Sequence, residues 1–268
     1  LSLDMGLQSF GEDLMVNKIG SIVAIEPSSG GVLAMISSPT YNTQDMVIGP
    51  DRGKVFQKLI HDPFKPLFNR SIAARYPPGS TFKPIMALIG LETGAITPNT
   101  TVYCEHGYKI FKEFRKCHSH INPVNVISAI EVSCNTFFWQ TFRGVVEQFG
   151  FYSPVRGLDT LNNYLKEYGV GHRLGLDLPN EASGFLPTSN FYNKIYPRKT
   201  NPWYAPAIMS LGIGQGELTM TPLQMANLTA TIANRGFYYI PHLVASFEEN
   251  GITRAEQKLV LHRPRVKT

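Results

Sequence analysis

Of all stretches in this 268-residue chain, Pro77-Pro78-Gly79-Ser80-Thr81-Phe82-Lys83-Pro84 constrains the fold most. Pro77-Pro78-Gly79 breaks any regular element. Ser80 can cap a new helix and Gly94 can stop it, so the spacing predicts a helix from Ser80 to Leu91. Pro84 fits there because the first turn of a helix has no intrahelical use for its missing N–H. Ser80 and Lys83, three apart at a helix start, project from one face about one turn apart. A serine hydroxyl needs a base to become a nucleophile, and an ammonium serves only if desolvation or nearby positive charge lowers its pKa. A helix N-terminus adds positive potential and backbone N–H groups for a developing oxyanion. Chance alone supplies a Ser-x-x-Lys in most chains of this length, and the pair by itself reads as an ordinary capping serine and a solvated lysine.

The surrounding pattern is that of one large mixed domain. Leu3 to Val16 carries apolar residues at helical spacing (Leu3, Leu7, Phe10, Leu14). Ser21–Ile25 and Val32–Ile36 read as a hairpin across Pro27-Ser28-Ser29-Gly30-Gly31. Further helices are expected over Ser133–Phe149, with Phe137, Phe138, Phe142, Val145 and Phe149 on one face, over Val155–Tyr168, and over Thr221–Asn234. Leu186–Pro206, rich in Pro, Asn and aromatics, reads as a long irregular surface segment. Tyr239–Phe247 reads as the start of another strand. With 43% hydrophobic and 17% charged residues the chain can bury a sizeable core. Its net charge of +5 comes from scattered Lys and Arg, with no basic helix face, which argues against a nucleic-acid partner and suits an anionic membrane surface or carboxylate-bearing substrates. The chain shows no run of about eighteen apolar residues and no signal-peptide pattern. Its start at Leu-Ser-Leu-Asp reads as a segment cut from a longer protein whose anchor would lie upstream.

A second pair of polar residues, Ser133 and Asn135 in Ser133-Cys134-Asn135, could converge on Ser80 and Lys83. By itself the triplet reads as a helix cap. Taken in order, Pro78-Gly79-Ser80-Thr81-Phe82-Lys83-Pro84, Ser133-Cys134-Asn135-Thr136-Phe137-Phe138, Gly212-Ile213-Gly214-Gln215-Gly216 and Thr221-Pro222-Leu223-Gln224-Met225-Ala226 resemble the transpeptidase domain of class B penicillin-binding proteins. The opening hairpin matches the family's first two sheet strands, so the resemblance covers nearly the whole chain. Asn201-Pro202-Trp203-Tyr204 and a Cys-His cluster are similar to the penicillin-binding protein 2 branch.

The resemblance implies an α/β (α+β) fold of the penicillin-binding protein and serine β-lactamase type, an antiparallel sheet flanked by helices with a mostly helical lobe. In that reading 1–268 is a transpeptidase domain fragment: 1–40 the first helix and two strands, 70–236 the helical lobe with the catalytic motifs, 237–268 the start of a further strand. Ser80 would attack the penultimate D-alanine carbonyl of a peptidoglycan stem peptide, Lys83 would take its proton, Ser133 would relay that proton to the leaving amine, and Asn135 would hold the donor peptide. β-Lactams would trap the acyl-enzyme. The implied setting is the inner membrane, with the catalytic domain in the periplasm among membrane-bound cell-wall synthesis partners.

The chain departs from the family in lacking its third motif, Lys-Thr/Ser-Gly. Lys199-Thr200 is followed by Asn201, and Lys267-Thr268 comes after no apolar strand. The expectation is a truncated domain lacking its last strands and acylating poorly.

Cys104, Cys117 and Cys134 are the only cysteines. Cys117 and His120 sit at a chelating spacing. Three thiolates and one imidazole would make a closed, structural zinc site, and some penicillin-binding proteins 2 resemble this in holding zinc with ligands from these places. His118 is the other candidate; His120 is preferred because adjacent ligands are harder to fit round one ion. A Cys104–Cys117 disulfide beside a buried Cys134, or three free thiols, fit the spacing as well. No cofactor is implied for catalysis. The remaining rivals are a serine β-lactamase of the same fold, for which no water-activating base stands out, and a non-catalytic β-lactam sensor or scaffold.

Overall fold

The computed structural model describes residues 1–196, 202–248 and the backbone of 249 and 252–255. In chain order the elements are α1 (Met5–Leu14), β1 (Gly20–Ile25), β2 (Val32–Ser38), α2 (Arg52–His61), α3 (Arg70–Ala73), α4 (Lys83–Glu92), β3 (Gly107–Ile110), β4 (Glu113–Lys116), α5 (Val126–Glu131), α6 (Asn135–Glu147), α7 (Pro154–Glu167), α8 (Ser189–Ile195), α9 (Ala205–Ile208), α10 (Pro222–Ala233), β5 (Ser246–Glu249) and β6 (Ile252–Ala255). They fall into two compact units. One takes Leu1–Tyr76, His172–Ser183 and the chain from Thr221; the other takes Pro77–Gly171 and Gly184–Met220.

In the first unit β1 and β2 pair antiparallel, with Gly20 opposite Ser38 and an irregularity at Ala24/Ile25. Alternate residues of β2 are buried, as a strand with one covered face requires. Its core gathers Val32, Ile72, Leu174, Leu176, Leu223 and Tyr238. The helix expected at the N-terminus forms, but its apolar stripe faces outward: Leu7, Phe10 and Leu14 are 39%, 60% and 48% exposed. The contact is made by Gly11 instead, where a Cβ would come within 2.7 Å of Ile36 Cδ1, so the helix seats on β2 through its smallest residue. α10 opens with a capping box, Thr221 and Gln224 exchanging side-chain and backbone bonds, and packs on β1. The buried Glu181 carboxylate accepts three successive N–H groups, from Leu174, Gly175 and Leu176. The expected strand at Tyr239–Phe247 starts later, at Ser246, and His242 makes only an isolated parallel bridge to Gly31.

The second unit is built round α6. Phe137, Phe138, Phe142 and Val145 are fully buried along it, as their spacing predicted, and Val146 joins them, whereas Phe149, expected on the same face, lies past the helix end and is half-buried. α7 crosses α6 at Gly157, where a Cβ would lie 1.9 Å from the Val146 carbonyl oxygen. Gly157→Ala must therefore push two backbones apart, and it is expected to cost about 3 kcal/mol, read as a lower denaturant midpoint at unchanged m-value.

Leu186–Pro206 is not the irregular surface segment expected. Among its described residues α8 forms within it and α9 begins at its end, Tyr192 is fully buried with its hydroxyl donating to Glu217 Oε2 at 2.7 Å, and the buried Trp203 donates from Nε1 to Asn193 Oδ1 at 2.9 Å. Aromatics that looked like surface loop are core groups with polar handles. Lys199-Thr200-Asn201 and Lys267-Thr268 lie outside the described residues. No helix among those described is long and apolar enough to cross a membrane.

Candidate active site

Ser80 sits in a single 3-10 turn, Gly79–Phe82, that runs directly into α4. It does not cap α4, contrary to the expectation from spacing: the N-cap position is Phe82 and has no side-chain hydrogen bond. The Ser80 side of the turn is exposed, while Phe82 and Lys83 are buried. Backbone holds the turn from below. Gly79 N–H donates to the Gly214 carbonyl at 2.8 Å, and a Cβ on Gly214 would meet Gly79 oxygen at 2.3 Å. Both glycines have positive φ, +61° and +69°. The Gly212-Ile213-Gly214 run is thus a close-approach surface for the nucleophile's turn, and Gly212 packs against Phe142 and the Phe138 carbonyl.

Lys83 is 1% exposed, and its Nζ donates to the Ser133 carbonyl at 2.6 Å, to Ser133 Oγ at 2.8 Å and to Asn135 Oδ1 at 2.7 Å. These bonds fill all three donor positions of an ammonium and join motifs 50 and 52 residues apart. Burial pulls the Lys83 pKa down from 10.5 to about 8, against the opposing influence of Cys117 and then Cys134. Because an ammonium only donates, Asn135 turns its oxygen to Lys83 and keeps its amide N–H groups for another partner.

Ser133-Cys134-Asn135 opens α6 as expected, with helical residues Asn135–Glu147 inside the expected Ser133–Phe149. It links α5 to α6: Ser133 lies in the left-handed region at φ +54°, Cys134 is the N-cap of α6, and its Sγ accepts the Phe137 N–H at 3.4 Å.

All three cysteines are free and buried, so no Cys104–Cys117 disulfide forms. Cys104 Sγ, Cys117 Sγ, Cys134 Sγ and a ring nitrogen of His120 lie within 4.8 Å of one another. Ligands about 2.3 Å (sulfur) and 2.0 Å (nitrogen) from one tetrahedral ion stand at separations of this order, so the donor set fits zinc. Two further observations agree. His120 Nδ1 pairs with the Ile121 carbonyl at 2.7 Å, which directs the free lone pair to Nε2. Cys117 Sγ accepts the Asn135 N–H at 3.2 Å, and such a donor stabilises a thiolate. Burial pushes the Cys134 thiol up to about 12, so a nearby cation is what would ionise it. His118, the alternative ligand, has its Nε2 2.6 Å from the Val132 carbonyl and its Nδ1 3.9 Å from Cys117 Sγ, but the four-atom group converges on His120 and not on it.

Some contacts had no signal in the sequence. Arg115 on β4 donates to Ser210 Oγ at 3.3 Å, just ahead of the Gly212-Ile213-Gly214 run, and Cys104 Sγ donates to Thr136 Oγ1 at 3.0 Å. Neither pair has a spacing that would reveal it.

The sequence model of the penicillin binding protein transpeptidase domain matches residues 20–267. The chain is 34% identical over 258 residues to the peptidoglycan D,D-transpeptidase MrdA of Escherichia coli strain K12, covering 94% of this chain and 38% of that protein. Among solved structures it resembles Pseudomonas aeruginosa PBP2 in complex with WCK 5153, at 34% identity and TM-score 0.78, over 90% of this chain and 52% of the other. It also resembles Helicobacter pylori PBP2 in complex with MreC, at 30% identity and TM-score 0.80, over 98% of this chain and 45% of the other. The fold is therefore that of penicillin-binding protein transpeptidases, and the chain spans less than half the length of the MrdA relative.

Proposed function

The chain belongs to the penicillin-binding protein transpeptidase domain family, and from that membership we propose that it is the catalytic part of a serine-type peptidoglycan D,D-transpeptidase of cell elongation. The single observation that carries this reading is the buried Lys83, whose Nζ joins Ser133 and Asn135 one turn from the exposed Ser80.

Neutral Lys83 takes the Ser80 proton as Oγ attacks the carbonyl of the penultimate D-alanine. The tetrahedral intermediate collapses to an ester on Ser80, and the D-alanine amine leaves with a proton passed from Lys83 through Ser133 Oγ. The amide N–H groups of Asn135 hold the donor peptide, since its oxygen is already taken by Lys83. An amine from a neighbouring strand then attacks the ester, forming the cross-link and returning the proton to Ser80. A β-lactam mimicking the D-Ala-D-Ala end stops at the ester.

Cys104, Cys117, His120 and Cys134 are proposed to hold a structural zinc ion. With all four positions filled by protein, such an ion supplies a clamp and no open site for chemistry. The setting proposed is the inner membrane, with this domain in the periplasm among membrane-bound synthesis partners; that the Helicobacter pylori relative forms a complex with MreC supports a protein partner.

The test is labelling of the full-length protein by a fluorescent penicillin. Stable stoichiometric label that Ser80→Ala abolishes is expected. Rapid release of hydrolysed drug would instead make the protein a β-lactamase, and growth complementation retained by Ser80→Ala would make it a scaffold.

A further inference from the structure

α5 ends in a cap of Schellman geometry. Cys134 N–H donates to the Ala129 carbonyl at 2.9 Å and Ser133 N–H to the Ile130 carbonyl at 3.1 Å. In such a cap the residue at positive φ is usually glycine; here it is Ser133, at +54°. Holding a side chain there costs about 1 kcal/mol, so the surrounding structure must over-determine it. A helix end also leaves carbonyls without intrahelical partners. The carbonyl of Val132, the residue just before Ser133, meets Nε2 of His118 at 2.6 Å. A carbonyl can only accept, so that nitrogen carries the proton.

The Val132 carbonyl lies in the same rigid peptide plane as the Ser133 nitrogen. Fixing that oxygen fixes the plane from which the φ of Ser133 is measured, and with it the direction of Ser133 Oγ toward Lys83. The neighbouring residue holds the far end of the same segment, through the bond from Asn135 N–H to Cys117 Sγ. Cys117-His118 therefore grips Ser133-Cys134-Asn135 on both sides.

We propose that His118 is a positioning residue for the proton relay, acting through the Val132 carbonyl on Ser133, and not a ligand of the Cys104, Cys117, His120, Cys134 group. The assignment rests on the transpeptidase reading for the role of Ser133. The ring is exposed, so its loss leaves the core intact.

The experiment compares full-length wild type, His118→Ala, His118→Gln and His120→Ala in β-lactam acylation, zinc content and Tm, with Ser80→Ala as control. Removing the donor in His118→Ala is expected to lower the acylation rate constant about tenfold, because a small displacement of a reacting group is costly, while the initial affinity for the β-lactam and the zinc content hold. The side-chain amide of Gln can reach where Nε2 stands, so His118→Gln is expected to recover most of the rate. Wild-type acylation in His118→Ala, equal loss in His118→Gln, or zinc lost from His118→Ala but kept by His120→Ala would each overturn the proposal. Label persisting in Ser80→Ala would instead sink the transpeptidase reading, whatever the His118 variants do.

Discussion

Lys83→Met in the full-length protein is expected to slow β-lactam acylation about a thousandfold, the loss typical of removing a positioned base. Methionine keeps the length and apolar character of the stem, so the change falls on the ammonium. It strands the Ser133 carbonyl, Ser133 Oγ and Asn135 Oδ1 at once. The pH profile identifies the base. With a pKa of about 8, roughly one Lys83 in ten is neutral at pH 7, against about one in three thousand for an unperturbed lysine. Acylation should climb about tenfold per pH unit below 8 and level off above it, and the slope should vanish in Lys83→Met. Stability moves in the same direction: the folded pKa lies below the unfolded 10.5, so the cost of burying the ammonium is full below about pH 8 and lifts as pH rises through 8 to 10.5. An acylation rate independent of pH from 6 to 9 would show that Lys83 is not the titrating base.

If the proposed zinc clamp is present, Cys117→Ser is expected to release it and lower the Tm by about 10 °C, the shift for a loss of about 3 kcal/mol in a chain of this size. The effect is large because Cys117 serves twice, as one of four converging ligand atoms and as the acceptor for the Asn135 N–H. Acylation should slow in parallel, since Asn135 opens α6 and holds Lys83. Metal analysis and thiol counting of the untouched protein decide the matter. Metal-free protein with three titratable thiols would remove the clamp.

How far the fold could be read depended on whether its cause was local. α7 and α10 arise from apolar spacing and from Ser153-Pro154 and Thr221-Pro222 at their starts. The start of α6 was legible at Ser133-Cys134-Asn135, but α5 was not, because it is only six residues long and a serine occupies the left-handed position at its end where glycine would have announced a helix stop. The β3–β4 hairpin was hidden for the same reason: its turn places Phe111 at φ +51°. Tyr192 and Trp203 misled because their partners, Glu217 and Asn193, are chosen by tertiary packing. In the candidate site, Ser80, Lys83, Ser133 and Asn135 were legible as motifs, whereas the grip of His118 on Val132 depends on two chain segments meeting.

The pairing of Gly79 with Gly214 bears on how such a site can evolve. The nucleophile's turn is registered by the Gly79 main chain against the Gly214 main chain, with only the Cβ of Phe82 from the same turn packed beside them. Side chains round Ser80 can drift, admitting or excluding different acylating compounds, without shifting the hydroxyl itself. The two glycines have no such freedom, so variation that alters drug acceptance has a wide field to explore around a fixed point that it cannot move.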